Sequence, residues 1–135
     1  MKVFFDNCTS PRMARTLHAF IEADGHQAVH ISDVLGRDVT DIEWMQYLGR
    51  DPADWIVFTG DERIRKNKAE ARAFAQARLK GIVLAPAYQR TPMSRNCAVL
   101  IDRWPKLLET LENFEPPVLF ELSINFSGRF RQLSL

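Results

Sequence analysis

Short apolar runs alternate with longer amphipathic stretches along this chain. Val3-Phe4-Phe5 is an unbroken apolar run closed by Asp6-Asn7, the pattern of a buried strand. Ser10-Pro11 then marks a helix start, with serine as N-cap and proline at the first helical position. Met13, Leu17, Phe20 and Ile21 recur at the spacing of one helix face, and Gly25 stands where a helix stops. Residues 27–31 predict a second strand, and residues 32–40 a polar loop containing Gly36. Thr40 or Asp41 can cap the next helix, which carries Ile42, Met45, Tyr47 and Leu48 and closes at Gly49 and Pro52. Trp55-Ile56-Val57-Phe58-Thr59 is the clearest strand, and Gly60-Asp61 turns out of it.

The second half continues the alternation. Residues 68–80 are rich in alanine and charge, which predicts a helix ended by Gly81. Ile82-Val83-Leu84-Ala85 predicts a fourth strand. Residues 94–113 predict a long helix with Val99, Leu100, Trp104, Leu107, Leu108 and Leu111 on one side, kinked or broken at Pro105. Beyond Pro116-Pro117, residues 118–124 and 129–133 flank a turn and predict a β-hairpin. Strands alternating with helices imply a mostly parallel sheet covered on both faces, a three-layer α/β arrangement. The chain of 135 residues suits one domain, with a core over 1–113 and a hairpin extension over 114–135. That hairpin would extend the sheet antiparallel or pack against another copy.

Composition changes this picture little. Hydrophobic residues make up 46% and charged residues 26%, the balance of an ordinary globular domain. The net charge of +1 announces no nucleic-acid binder, so the distribution of charge matters more than its sum. Arg63, Arg65, Lys66, Lys68 and Arg72 cluster directly after Asp61. Cys8 and Cys97 match no zinc spacing and read as reduced thiols. No run is apolar for long enough to span a membrane, and the first residues lack the apolar core of a signal peptide. The expected location is the cytoplasm.

Candidate chemistry follows from topology. Open parallel sheets form their sites at the C-terminal ends of the strands. Asp6 ends the first strand, Asp61 follows the third, and Asp41 opens the helix after the second. Crowded carboxylates repel and raise one another's pKa unless a divalent cation neutralises them. All-oxygen ligands select Mg²⁺ or Mn²⁺. Asp6 and Asp61 are candidate direct ligands, and Asp41 ligates or acts through water. Asn7 and Glu62 stand beside them to orient waters. Asp41 is explained equally well as a helix cap. The basic group Arg63, Arg65, Lys66 and Lys68 suits phosphate contact, and Arg12 approaches from the helix after Asp6. His18, His26 and His30 read as structural.

The opening Lys2-Val3-Phe4-Phe5-Asp6-Asn7, followed by Ser10-Pro11-Arg12, resembles the start of PIN-like domains related to VapC ribonuclease toxins. Gly25-His26 before the second strand, Thr40-Asp41-Ile42-Glu43-Trp44 and Ile56-Val57-Phe58-Thr59-Gly60-Asp61 are similar to further motifs of that family, in order over the first half of the chain. The resemblance implies a PIN-like fold and Mg²⁺- or Mn²⁺-dependent endoribonuclease activity on an RNA substrate. It also implies membership of a toxin–antitoxin pair, with Asp6, Asp41 and Asp61 as the catalytic acids. The family's fourth acid has no clear match, and Asp33, Glu43 and Glu62 are the candidates. The hairpin is open to a homodimer contact or to an antitoxin protein. The alternative function is a catalytically weak or inactive module that binds RNA or protein on the same fold.

Overall fold

Strand β1 (Lys2–Phe5) holds Val3, Phe4 and Phe5 with no solvent exposure at all. Around it a computed structural model describes residues 1–135. In chain order follow helix α1 (Pro11–Ile21), β2 (Gln27–His30), α2 (Ile31–Val34), α3 (Asp41–Gly49), β3 (Trp55–Thr59), α4 (Arg63–Lys66) and α5 (Lys68–Gln76). The chain ends with β4 (Lys80–Leu84), α6 (Met93–Glu112), β5 (Val118–Leu122) and β6 (Arg131–Leu133). The strands form one sheet in the order β2-β1-β3-β4-β5-β6. All pairings are parallel except β5 with β6. This is the α/β fold with a mostly parallel sheet that the alternation predicts.

The central strands are apolar because both their faces are covered. Helices α1 and α6 pack on one face, over a core that includes Phe5, Leu17, Phe58, Leu100 and Leu107. Helices α3 and α5 cover the other, over Phe4, Trp44, Val57 and Phe74. Phe5 and Phe58 stack across neighbouring strands with centroids 4.7 Å apart. Such a pair adds about 0.5–1.5 kcal/mol beyond its buried area. No helix is long and apolar enough to cross a membrane.

Local chemistry sets the helix starts. The Ser10 hydroxyl accepts from the Arg12 N–H at 3.1 Å, and Pro11 is the first helical residue of α1. Thr40 caps α3 in a reciprocal capping box with Glu43. Asp41 is therefore the first residue inside that helix and not its cap.

Three predicted elements differ from the observed ones. Residues 31–34 form a short helix instead of loop, because the His30 ring accepts from the Ser32 N–H and caps it. Helix α5 ends at Gln76, and Arg78 takes the left-handed turn (φ 54°) that a glycine usually supplies. Gly81 is not the helix stop but lies inside β4. A Cβ there would stand 2.6 Å from Leu119 Cδ1 and 2.8 Å from Phe74 Cζ, so the core leaves it no side chain. Pro105 does not divide α6, which is one helix of 20 residues. The predicted hairpin forms from β5 and β6, and its first strand β5 also lies parallel beside β4 and buries Val118, Leu119, Phe120 and Leu122. The hairpin is thus part of the core sheet, and only β6 is an antiparallel addition.

Candidate functional site

The strand order reverses direction between β1 and β3. From β1 the chain passes outward to β2, then returns to build the sheet on the other side. Doubly wound sheets form their ligand crevice at such a switch, beyond the C-terminal ends of the strands. Asp6 directly follows β1, and Asp61 lies two residues past β3. Both loops meet at Gly60, where a Cβ would lie 2.8 Å from the Cys8 carbonyl oxygen. Since that neighbour is backbone, only glycine allows the loops to touch. Gly60→Ala is expected to push the Asp6–Cys8 loop away and destabilise the fold by about 1–3 kcal/mol, measured by urea unfolding. An unchanged midpoint would refute it.

Asp6 is 3% exposed. Burial pushes its carboxyl up to about 7. The Thr59 side chain and the Cys8 N–H, which donates to Oδ1 at 3.0 Å, pull it the other way. The charges of Asp41 and Asp61 raise it further, so the three aspartates share one electrostatic neighbourhood. Cys8 is exposed, but partial desolvation of its thiol and the charges of the three aspartates push it up to about 11. A thiol held there is no nucleophile at neutral pH.

Asp41 accepts from the Trp44 indole N–H at 3.0 Å. Its other neighbour is one that local patterns do not mark. Glu70, in the first turn of α5, has its carboxyl raised by burial first and then by the nearby Asp41 carboxylate. Neighbouring ionised carboxylates repel, so their closeness favours a proton or a cation between them. Glu70 Oε2 is buried with no partner. In sequence, Asn67-x-x-Glu70 reads as a helix-start pattern, and the Asn67 side chain does cap the Glu70 N–H at 3.1 Å. Glu70 does not complete the box, because the Asn67 N–H donates instead to the Arg63 carbonyl at 2.8 Å.

The candidate fourth acids stand elsewhere or are already engaged. Asp33 is exposed and pairs with Arg15 at 3.5 Å. Glu43 is held in the Thr40 capping box. Glu62 pairs with Lys66 at 3.4 Å and Arg65 at 3.7 Å. Asn7 exchanges hydrogen bonds with Arg37, at 2.9 Å and 3.1 Å, and so ties its loop to the segment before α3.

The basic group divides in the same way. Arg63 donates from its backbone N–H to Asp61 Oδ1 at 2.8 Å and from its guanidinium to Oδ2. The resulting charge pair raises the arginine pKa. Arg65 is half-buried between Glu62 and the Ser134 hydroxyl. Arg12 and Lys68 are exposed and pair with no acid.

His30, which the sequence reads as structural, braces the site from behind. It is fully buried. Its Nδ1 accepts from the Ser32 N–H, so the proton sits on Nε2 and is donated to the Thr9 carbonyl at 2.9 Å. Thr9 in turn donates its hydroxyl to the Asp6 carbonyl at 2.7 Å. Burial lowers the His30 pKa and favours this neutral form.

The donor chemistry suits a hard divalent cation: only carboxylates, a buried acid raised by desolvation, and an orphaned carboxylate oxygen. As the side chains stand, no three His, Cys, Asp or Glu groups converge to metal-holding spacing, and Arg63 occupies the face of Asp61. No curated protein and no solved structure matches the chain. A family model described as PIN like domain matches residues 1–86. That stretch runs from β1 through β4 and contains Asp6, Asp41, Asp61 and Glu70. Covering well over half of the 135 residues, the match shows that the chain belongs to the PIN-like domain family.

Proposed function

We propose that this PIN-like domain is a divalent-metal-dependent endoribonuclease. The observation that carries the reading is the buried Asp6 at the C-terminal edge of the parallel sheet, with Asp41 and Asp61 near it and Glu70 near Asp41, an arrangement of acids that is costly without a cation. Asp6, Asp41, Asp61 and Glu70 would hold Mg²⁺ or Mn²⁺. Once bound, such an ion neutralises the acids, lowers the pKa of its water and stabilises charge on phosphate oxygens. Burial of Asp6 keeps bulk water from that end of the crevice. Arg63 exchanges Asp61 for a phosphate, and Arg12 and Lys68 attract the RNA backbone from either side. The role as toxin of a toxin–antitoxin pair, acting in the cytoplasm, rests on the resemblance of the Asp6, Asp41 and Asp61 motifs to VapC proteins. Its partner would then be an antitoxin docking on the hairpin, the surface also open to a homodimer.

The test is cleavage of single-stranded RNA by the purified chain with Mn²⁺ or Mg²⁺, against EDTA and against Asp6→Ala. Cleavage confined to metal-loaded wild type supports the reading. Metal-independent cleavage, or an Asp6→Ala variant as active as wild type, refutes it. A second reading, an inactive RNA- or protein-binding module, is favoured by the Arg63 guanidinium lying on Asp61. It predicts RNA binding without cleavage at any Mn²⁺ concentration.

A further inference from the structure

A cavity of about 280 Å³ opens beside the acidic rim, with Cys8 and Gly60 in its near wall. Met13, Tyr88, Gln89, Met93 and Asn96 are among its other lining residues, and no carboxylate faces it. The volume lies just below the range of small-molecule pockets, a size for one nucleobase with part of its sugar. Tyr88 is held rigid, since its hydroxyl donates to the Ser123 carbonyl at 2.9 Å.

Two independent features give the cavity a chemical character. Asn96 is 3% exposed. Its Nδ2 donates to the Tyr88 carbonyl at 3.0 Å, and because a carbonyl only accepts, this fixes the amide's orientation. Oδ1 is left buried with no donor. An unmet acceptor in a protein interior is destabilising and rare without a purpose. The second feature is the start of α6, which supplies both Met93 and Asn96 to the cavity. No side chain caps this 20-residue helix, and its first turn carries no acid. Its first N–H groups and the positive end of its dipole therefore suit an anion.

We propose that this cavity is a nucleotide subsite for single-stranded RNA. One base enters it and donates an edge N–H to Asn96 Oδ1, and the adjoining phosphate meets the N-terminus of α6. Met13 and Met93, unbranched and adaptable, shift to admit the base. The assignment to RNA rests on the reading of the acidic rim given above. A bound base would place its flanking phosphodiester toward Asp6 and Asp61, across the Cys8–Gly60 wall. A protein side chain would satisfy Asn96 but leave the helix N-terminus without its anion.

The experiment measures binding of the four nucleoside 5′-monophosphates and of ribose 5-phosphate to the full chain in EDTA, by calorimetry or amide NMR shifts. At least one nucleotide should bind tenfold or more tightly than ribose 5-phosphate. Gln89→Trp, at an exposed position on the cavity wall, should remove that advantage by filling the space. Asn96→Leu should do the same, but Asn96 also holds Tyr88, so the Gln89 variant keeps the test independent of folding. Equal binding of nucleotides and ribose 5-phosphate overturns the subsite, as does a Gln89→Trp variant that binds like wild type. Because the measurement needs no metal, nucleotide binding without RNA cleavage supports the subsite while refuting the nuclease. Cleavage without nucleotide binding does the reverse.

Discussion

Glu70→Gln is expected to lower Mn²⁺-dependent RNA cleavage by about a hundredfold. Loss of a partner behind a metal ligand costs on the order of 10–100-fold, and a direct ligand belongs at the upper end. Glutamine keeps the size of the side chain but not its charge, so the α5 helix start, capped by Asn67, should survive. The controls are the other acids near the motifs. Asp33→Asn removes only an exposed pair with Arg15, and Glu62→Gln only pairs with Arg65 and Lys66. Both should cleave almost as wild type does. Glu43→Gln loosens a capping box and should lower thermal stability more than activity. Initial rates on one labelled RNA decide the matter. A fully active Glu70→Gln beside an inactive Asp33 or Glu62 variant would transfer the fourth role to that residue.

Asp6→Asn is expected to stabilise the metal-free protein at pH 8 while abolishing its response to Mn²⁺. The Asp6 carboxyl ordinarily titrates near 3.8 and is raised to about 7 in the fold. A raised carboxyl favours the folded state when protonated. Its contribution is complete below the unfolded value near 3.8 and is lost as pH rises through 7. A difference of that size corresponds to roughly 4 kcal/mol. Without metal, wild type should therefore lose stability between pH 4 and pH 8 through this group, and the variant should not. At pH 8 in EDTA, Asp6→Asn should melt higher by on the order of 10 °C. Added Mn²⁺ should raise the melting temperature of wild type alone. A variant that melts below wild type at pH 8 in EDTA would show that the Asp6 charge is not a burden on the fold. Differential scanning fluorimetry across pH, with and without Mn²⁺, covers every arm.

These two residues mark how far the site could be read before the chain was folded. Asp6 is legible because Val3-Phe4-Phe5 leads straight into it, and an apolar run that ends in a carboxylate places the charge at a sheet edge. Asp61 is legible for the same reason after β3. Asp41 was ambiguous between cap and ligand, and the structure gives the cap to Thr40. Glu70 carries no such mark. It sits in a charged, alanine-rich helix where every glutamate resembles a solvated one. It becomes distinct only because α3 and α5 pack side by side on one face of the sheet and bring their first turns together.

Gly81 and β5 were hidden for a related reason. A glycine after a helical stretch reads as a stop signal, and nothing nearby in sequence reveals Phe74 and Leu119 closing over it. Residues 118–133 read as a hairpin because their turn and alternation are local. That β5 also lies parallel to β4 depends on α6 carrying the chain back across the sheet.

By itself, then, the sequence determined the alternation of strands and helices, the cap at Ser10, and two of the acids at strand ends. Each of these follows from interactions within a few residues or from the water-excluded environment of a central strand. Only the tertiary structure decided which strands are neighbours, why Gly60 and Gly81 must lack side chains, and that Glu70 stands against Asp41. Those are contacts between segments far apart in the chain, set by packing two helical layers on one sheet, and no local pattern encodes them.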